Sequence, residues 1–208
     1  MARLLFLLLL VTGGANAGPI IDTIEENGRT WAQIDLFSGL SWTQVNEVCA
    51  GRECRNETLN GYHMAGWYWA SPRDAVDLMS HFGAPDPGSY PTQYFEARSI
   101  WAPAFFASGF RPTWDAGGPG IYAWTSEFDG GCRASGHGCG ISLSVLDRTG
   151  IRESWSDLYE FTGINAQLRQ PASGALFYYV PAPPSLVLIA LGLFAVRFSR
   201  SLGQKRYN

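Results

Sequence analysis

The chain has 208 residues and carries 15 basic against 18 acidic side chains, for a net charge of −3. The charge is partitioned: residues 18–180 hold all 18 acids with ten arginines and no lysine, a balance of −8. A segment of that sign repels phosphate backbones, which excludes nucleic acid as a partner.

Met1-Ala2-Arg3, an apolar run from Leu4 to Val11, and Ala15-Asn16-Ala17 follow in the order of a secretory signal peptide. Cleavage is expected after Ala17, with Ala15 and Ala17 as the small residues of the site. Residues 18–180 then have the length of one domain.

Thr30–Leu36 predicts a first strand with Ala32, Ile34 and Leu36 on one face. Ser41-Trp42-Thr43-Gln44 is a capping box and opens a helix reaching about Cys49, its inner face Trp42, Val45 and Cys49. Gly61–Ala70 is aromatic and approaches a strand. Ser71 caps the second helix, Pro72 fits its first turn and Asp74 favours its positive end. Ala75, Leu78, Met79 and Phe82 recur at helical spacing, and Gly83 ends the run. From Ala84 to Gly120 the sequence is rich in Gly, Pro and aromatics and has no period, which predicts a long irregular excursion. Ile121–Thr125 is a strand, Ser126–Gly140 a glycine-rich loop, and Ile141–Leu146 with Ile151–Trp155 a hairpin about Asp147–Gly150. Ala175–Val180 is the last strand. Two helices followed by a run of strands predict a single α+β domain with a mainly antiparallel sheet.

After Val180 the composition changes. Pro181, Pro183 and Pro184 fix φ and remove three donors, so neither a helix nor a central strand crosses them. Leu186–Val196 is apolar on every face, including Leu186, Leu188, Leu191, Gly192 and Val196. Its eleven residues rise about 16 Å as a helix, against about 30 Å of bilayer core. Ser185 and Arg197–Ser199, with Arg197 reaching to the headgroups, narrow that gap. Arg197, Arg200, Lys205 and Arg206 form a basic tip that belongs on the cytoplasmic side. A spacer, a membrane helix and a cationic end over residues 181–208 predict a tail that engages the membrane.

This tail resembles the PEP-CTERM sorting signal of bacterial exported proteins at Val180, Pro181, Pro183, Ser185, the leucine-rich run with Gly192, and Arg197 and Arg200. Ala182 stands where the central Glu of that signal falls, as in its variant forms. The resemblance implies that a membrane protease of the exosortase class reads Val180–Pro183 and removes or transfers the tail. A second resemblance is to bacterial surface domains of C-type-lectin-like fold. Trp31, Asp35, Leu40-Ser41-Trp42 and Val45 carry it, with Ala65-Gly66-Trp67-Tyr68-Trp69-Ala70-Ser71 before a helix and Tyr122-Ala123-Trp124-Thr125-Ser126 at a later strand.

An even cysteine count in an exported chain implies disulfides. Of the three pairings open to four cysteines, Cys49–Cys54 and Cys132–Cys139 each close a short loop. Zinc at Cys132, His137 and Cys139 does not fit the usual spacings, and no metal is expected. No nucleophile elbow, zinc-protease helix, phosphate-cradling loop or dinucleotide fingerprint is present, so neither a cofactor nor an enzymatic activity is expected. Glu127 and Asp129 are read as solvated loop acids, with a glycosidase-type carboxylate pair or a calcium site as alternatives. Most tryptophans sit beside regular elements and belong to a core. Trp101 and Trp114, in the irregular excursion, are the candidates for exposed contacts. The expected function is that of an exported, non-enzymatic surface or matrix protein, with an extracellular polysaccharide as the alternative ligand.

Overall fold

The computed structural model describes residues 17–84, 101–115, 118–129, 139–147 and 156–180, with the backbone alone at 129, 139 and 156–164. Within it, strand β1 (Thr23–Glu26) turns through Asn27-Gly28 into β2 (Arg29–Ala32). Both turn residues have positive φ, as a tight two-residue hairpin requires. After Ala32 the expected strand does not continue. Ile34–Phe37 forms a 3-10 turn that buries Ile34 and Phe37, three residues apart, and leaves Leu36 half-buried.

Helix α1 (Trp42–Cys49) opens on the expected capping box. The Gln44 amide donates to Ser41 Oγ, and the Ser41 amide donates back to Gln44 Oε1 at 3.0 Å. Short strands β3 (Thr58–Leu59) and β4 (Tyr62–His63) form a small hairpin, and β5 (Trp67–Trp69) leads into α2 (Pro72–His81). Helix α2 has its own capping box between Ser71 and Asp74, with Pro72 in its first turn, and buries Ala75, Leu78 and Met79. A third helix, α3 (Ala102–Ala107), lies inside the stretch expected to be irregular, so the described residues hold three α-helices where the sequence predicts two. Then come β6 (Trp114–Asp115), β7 (Pro119–Asp129), β8 (Cys139–Asp147), β9 (Ser156–Asn165), β10 (Ser173–Ala175) and β11 (Phe177–Tyr179).

The strands make two main sheets. One has the order β1-β2-β11-β5 and is antiparallel throughout. The other has the order β10-β7-β8-β9, with β6 beside β7 and only β10–β7 parallel. The domain is α+β with mainly antiparallel sheets, as the order of elements predicts. Strand β8 does have a partner on its far side. That partner is β9, beginning at Ser156; the expected return strand Ile151–Trp155 falls outside the described residues.

Two apolar clusters fill the interior. Trp31, Leu78, Met79, Trp101, Phe105, Ile121 and Val145 belong to one; Phe37, Trp42, Trp67, Trp69, Trp124 and Phe177 belong to the other. Buried indoles need acceptors, and for Trp42, Trp69 and Trp124 the backbone supplies them. Trp42 Nε1 donates to the Thr125 carbonyl at 2.9 Å, Trp69 Nε1 to Trp124 at 3.1 Å, and Trp124 Nε1 to Leu40 at 2.9 Å. Trp31, Trp42, Trp67 and Trp124 are therefore core, as expected. Among the described residues no helix is long and apolar enough to cross a membrane, and Leu186–Val196 lies outside them.

Candidate functional site

Among the described residues, the positions singled out in the sequence do not converge. Trp101, expected to be an exposed contact, is 1% exposed and packs at the start of α3 against Phe105 of that helix. It is a core residue, because the stretch that carries it forms a helix whose apolar face the core covers. Trp114 is half-buried and stacks on Tyr122, ring centroids 5.2 Å apart. It also closes over Gly120, where a Cβ would come within 2.4 Å of the indole. Glu127 and Asp129 lie on β7 rather than in a loop, since that strand runs on past a register shift between Trp124 and Phe128. Burial raises the pKa of the Glu127 carboxyl and the charge of Arg52 pulls it back. Among the described residues no group of three or more His, Cys, Asp or Glu is placed to hold a metal ion. Cys49 and Cys54 form the expected disulfide. Cys132 lies outside the described residues, as do Ala15 and every residue of the tail after Val180, and Cys139 is described by its backbone in β8.

What the fold does assemble is a charged hub at the start of α2, which sequence reading missed. Asp74 serves the capping box and is 7% exposed. Arg29 of β2 donates to its Oδ1 at 2.8 Å, and Arg52, from the loop closed by Cys49–Cys54, donates to Oδ2. The same Arg52 nitrogen donates to the Tyr178 hydroxyl at 3.0 Å, and the Arg29 guanidinium lies over the Tyr178 ring at 4.3 Å. Burial works to raise the Asp74 pKa, but the Ser71 hydroxyl and amide, then Arg29 and Arg52, outweigh it and hold the carboxyl below its usual value. Arg52 reaches this position from a backbone φ of 81°, rare for a residue with a side chain. The hub joins β2, the disulfide loop, α2 and β11. Its groups are spent on one another, so its chemistry is bracing.

A second feature is open to solvent. Pro19, Ile20, Thr23, Thr30, His63, Ala65, Trp67 and Tyr179 line a cleft of about 320 Å³ that draws on all four strands of the first sheet. Its rear wall is Trp67, 7% exposed, and its rim is Tyr179, 36% exposed, with ring centroids 5.7 Å apart. The Tyr179 ring lies against the Gly66 backbone, where a Cβ would stand 2.9 Å from Cε2. Gly66 has φ +80°, so glycine is favoured there on both counts. The Gly18 amide donates to the Gly61 carbonyl at 3.1 Å, and His63 donates back to the Gly18 carbonyl at 2.9 Å, which fixes the Pro19 side. The aromatic cluster around Trp67 was legible in the sequence; the pairing that brings Thr30 beside Tyr179 was not.

Comparison with family models, with curated proteins and with solved structures finds no match to this chain.

Proposed function

We propose that this chain is an exported, non-enzymatic protein of the cell surface or extracellular matrix. In this reading a signal peptide ending at Ala17 carries it across the inner membrane. A tail from Val180 to Asn208 then holds it for an exosortase-type membrane protease. The observation that supports this best is how the domain ends. Strand β11 pairs with β2 on one side and β5 on the other, and the next residue, Val180, is 47% exposed. A cut or an anchor at Pro181–Pro183 leaves every described strand in place. At the other end Gly18, the first residue after the expected cut, is already hydrogen-bonded to the β3–β4 hairpin. The Cys49–Cys54 disulfide suits an oxidising compartment.

We read the domain as C-type-lectin-like. Its first hairpin pairs with its last strand, α1 and α2 lie between them in sequence, and the Trp67–Ser71 and Tyr122–Ser126 segments lead into α2 and run along β7. That likeness concerns architecture and assigns no activity.

The test is fractionation of the native host together with intact-mass analysis. The full chain is expected in the membrane fraction before processing. The mature form is expected to begin at Gly18 and to end near Pro181–Pro183. Deleting residues 186–208 is expected to abolish membrane retention. Identical fractionation of the full-length and truncated chains, with the full-length chain recovered at the mass of residues 1–208, would overturn the reading.

A further inference from the structure

We infer that the cleft between Trp67 and Tyr179 is a binding site for a neutral saccharide, with the Tyr179 ring as its platform. An aromatic ring carries negative charge on its face, and the C–H groups on one side of a sugar ring are weakly positive, so the two stack. Tyr179 is suited to this. The Gly66 backbone supports the ring, and the side chain remains 36% exposed at the cleft. Trp67 stands behind it at a tilt of 54°, which closes the rear of the cleft without filling it. Pro19, Ile20 and Ala65 add small apolar contacts.

The polar part of the lining is sparse and holds no Lys, Arg, Asp or Glu. Thr23 and Thr30 supply hydroxyls and His63 an imidazole. Thr30 Oγ1 donates its proton to Glu25 Oε1 at 2.5 Å, so the oxygen faces a ligand as an acceptor of a sugar hydroxyl. A few polar groups set in an aromatic and apolar wall, in a volume near the low end of ligand sites at about 300 Å³, fit a sugar residue better than an extended chain.

The class of sugar follows from charge. No arginine or lysine lines the cleft, Glu25 is bonded to Thr30 at its edge, and residues 18–180 carry −8. An acidic saccharide would meet repulsion and no counter-charge. This moves the expected glycan contact away from Trp101, which is interior, and Trp114, which lies against Tyr122.

The inference rests on the extracellular reading only for where the ligand would be met; binding itself is measured without it. The purified protein, with or without its tail, is run in native gels containing dextran, galactomannan or alginate, beside a gel with no polysaccharide. Retardation is expected in dextran or galactomannan, weakened at least tenfold by Tyr179→Ala and clearly by Thr30→Val. Trp114→Phe, outside the cleft, is expected to bind as the wild type does. No retardation in either neutral gel, or retardation in alginate alone, overturns the inference. So does unchanged binding by a folded Tyr179→Ala; if that variant does not fold, unchanged binding by Thr30→Val overturns it instead. Tail deletion and intact mass decide the export reading separately, so either idea can fail alone.

Discussion

Asp74 and Arg111 each hold two partners of opposite charge, in different surroundings. Asp74 is one carboxylate between two arginines; its side chain is 9% exposed, against 32% and 43% for Arg29 and Arg52. Arg111 is one guanidinium between two carboxylates. It meets Asp35 in a two-pronged pair at 2.8 and 2.9 Å and Asp22 at 2.7 Å, and all three side chains are at least 32% exposed. Hydrogen bonding to Asp35, against the cost of burial, raises the Arg111 pKa above an already high value. Both clusters cross the chain over long separations. At α2 the ionic group is a joint in its own right beside the packing of Ala75, Leu78 and Met79, because burial leaves Asp74 nothing but its partners. Near α3 the ionic pairs decorate a join already made by Trp101, Phe105 and Phe110, which are almost wholly buried.

If that contrast is right, the largest effect comes from an apolar deletion on the α3 side. Trp101→Ala is expected to cost about 3–5 kcal/mol, read as a lower denaturant midpoint, through the cavity it leaves. A loss below about 1 kcal/mol would mean that the ionic pairs, not the core, hold α3.

Next is Asp74→Ala, expected to cost about 2–4 kcal/mol: a helix cap is lost and two half-exposed arginines lose their shared partner. Its pH dependence sharpens the point. The folded-state pKa lies below the ordinary carboxylate value, so the folded state favours the charged form. The stability this supplies is complete above the unfolded value of 3.8 and is lost as pH falls through the folded one. A thermal-melt series run downward from pH 5 is expected to fall more steeply for the wild type than for Asp74→Ala. Parallel curves would remove Asp74 from the account.

The smallest effect is expected from Arg111→Ala, below about 1 kcal/mol in the same denaturant series, because exposed pairs are screened by water and salt. A loss as large as that of Asp74→Ala would erase the distinction between the two clusters.

Both helix starts were legible in the sequence because their signal is local: Ser41 and Gln44 read as a capping box, and Ser71 as a cap with Asp74 in the first turn, while the second box was seen only in the structure. The Cys49–Cys54 closure was legible for the same reason. What failed was long-range or ambiguous. Ala32, Ile34 and Leu36 alternate as a strand would, yet Ile34 and Phe37 also satisfy a spacing of three, and the 3-10 turn prevails. Helix α3 has six residues, too few to show a period among so many aromatics. The Asp74 hub draws on positions 29, 52, 74 and 178, and nothing local marks Arg29 or Arg52 as its partners. The cleft likewise depends on β2 meeting β11, which brings Thr30 to Tyr179 from 149 residues away.

The seating of β11 also has a mechanical consequence. Tension applied through the tail enters at Val180 and runs along the axis of a strand bonded on both edges. The ladders to β2 and β5 are then loaded in shear together instead of opening one bond at a time. Tyr178, gripped by Arg29 and Arg52, is the next bolt along that strand, so a tether at this end pulls on a strand held along both edges.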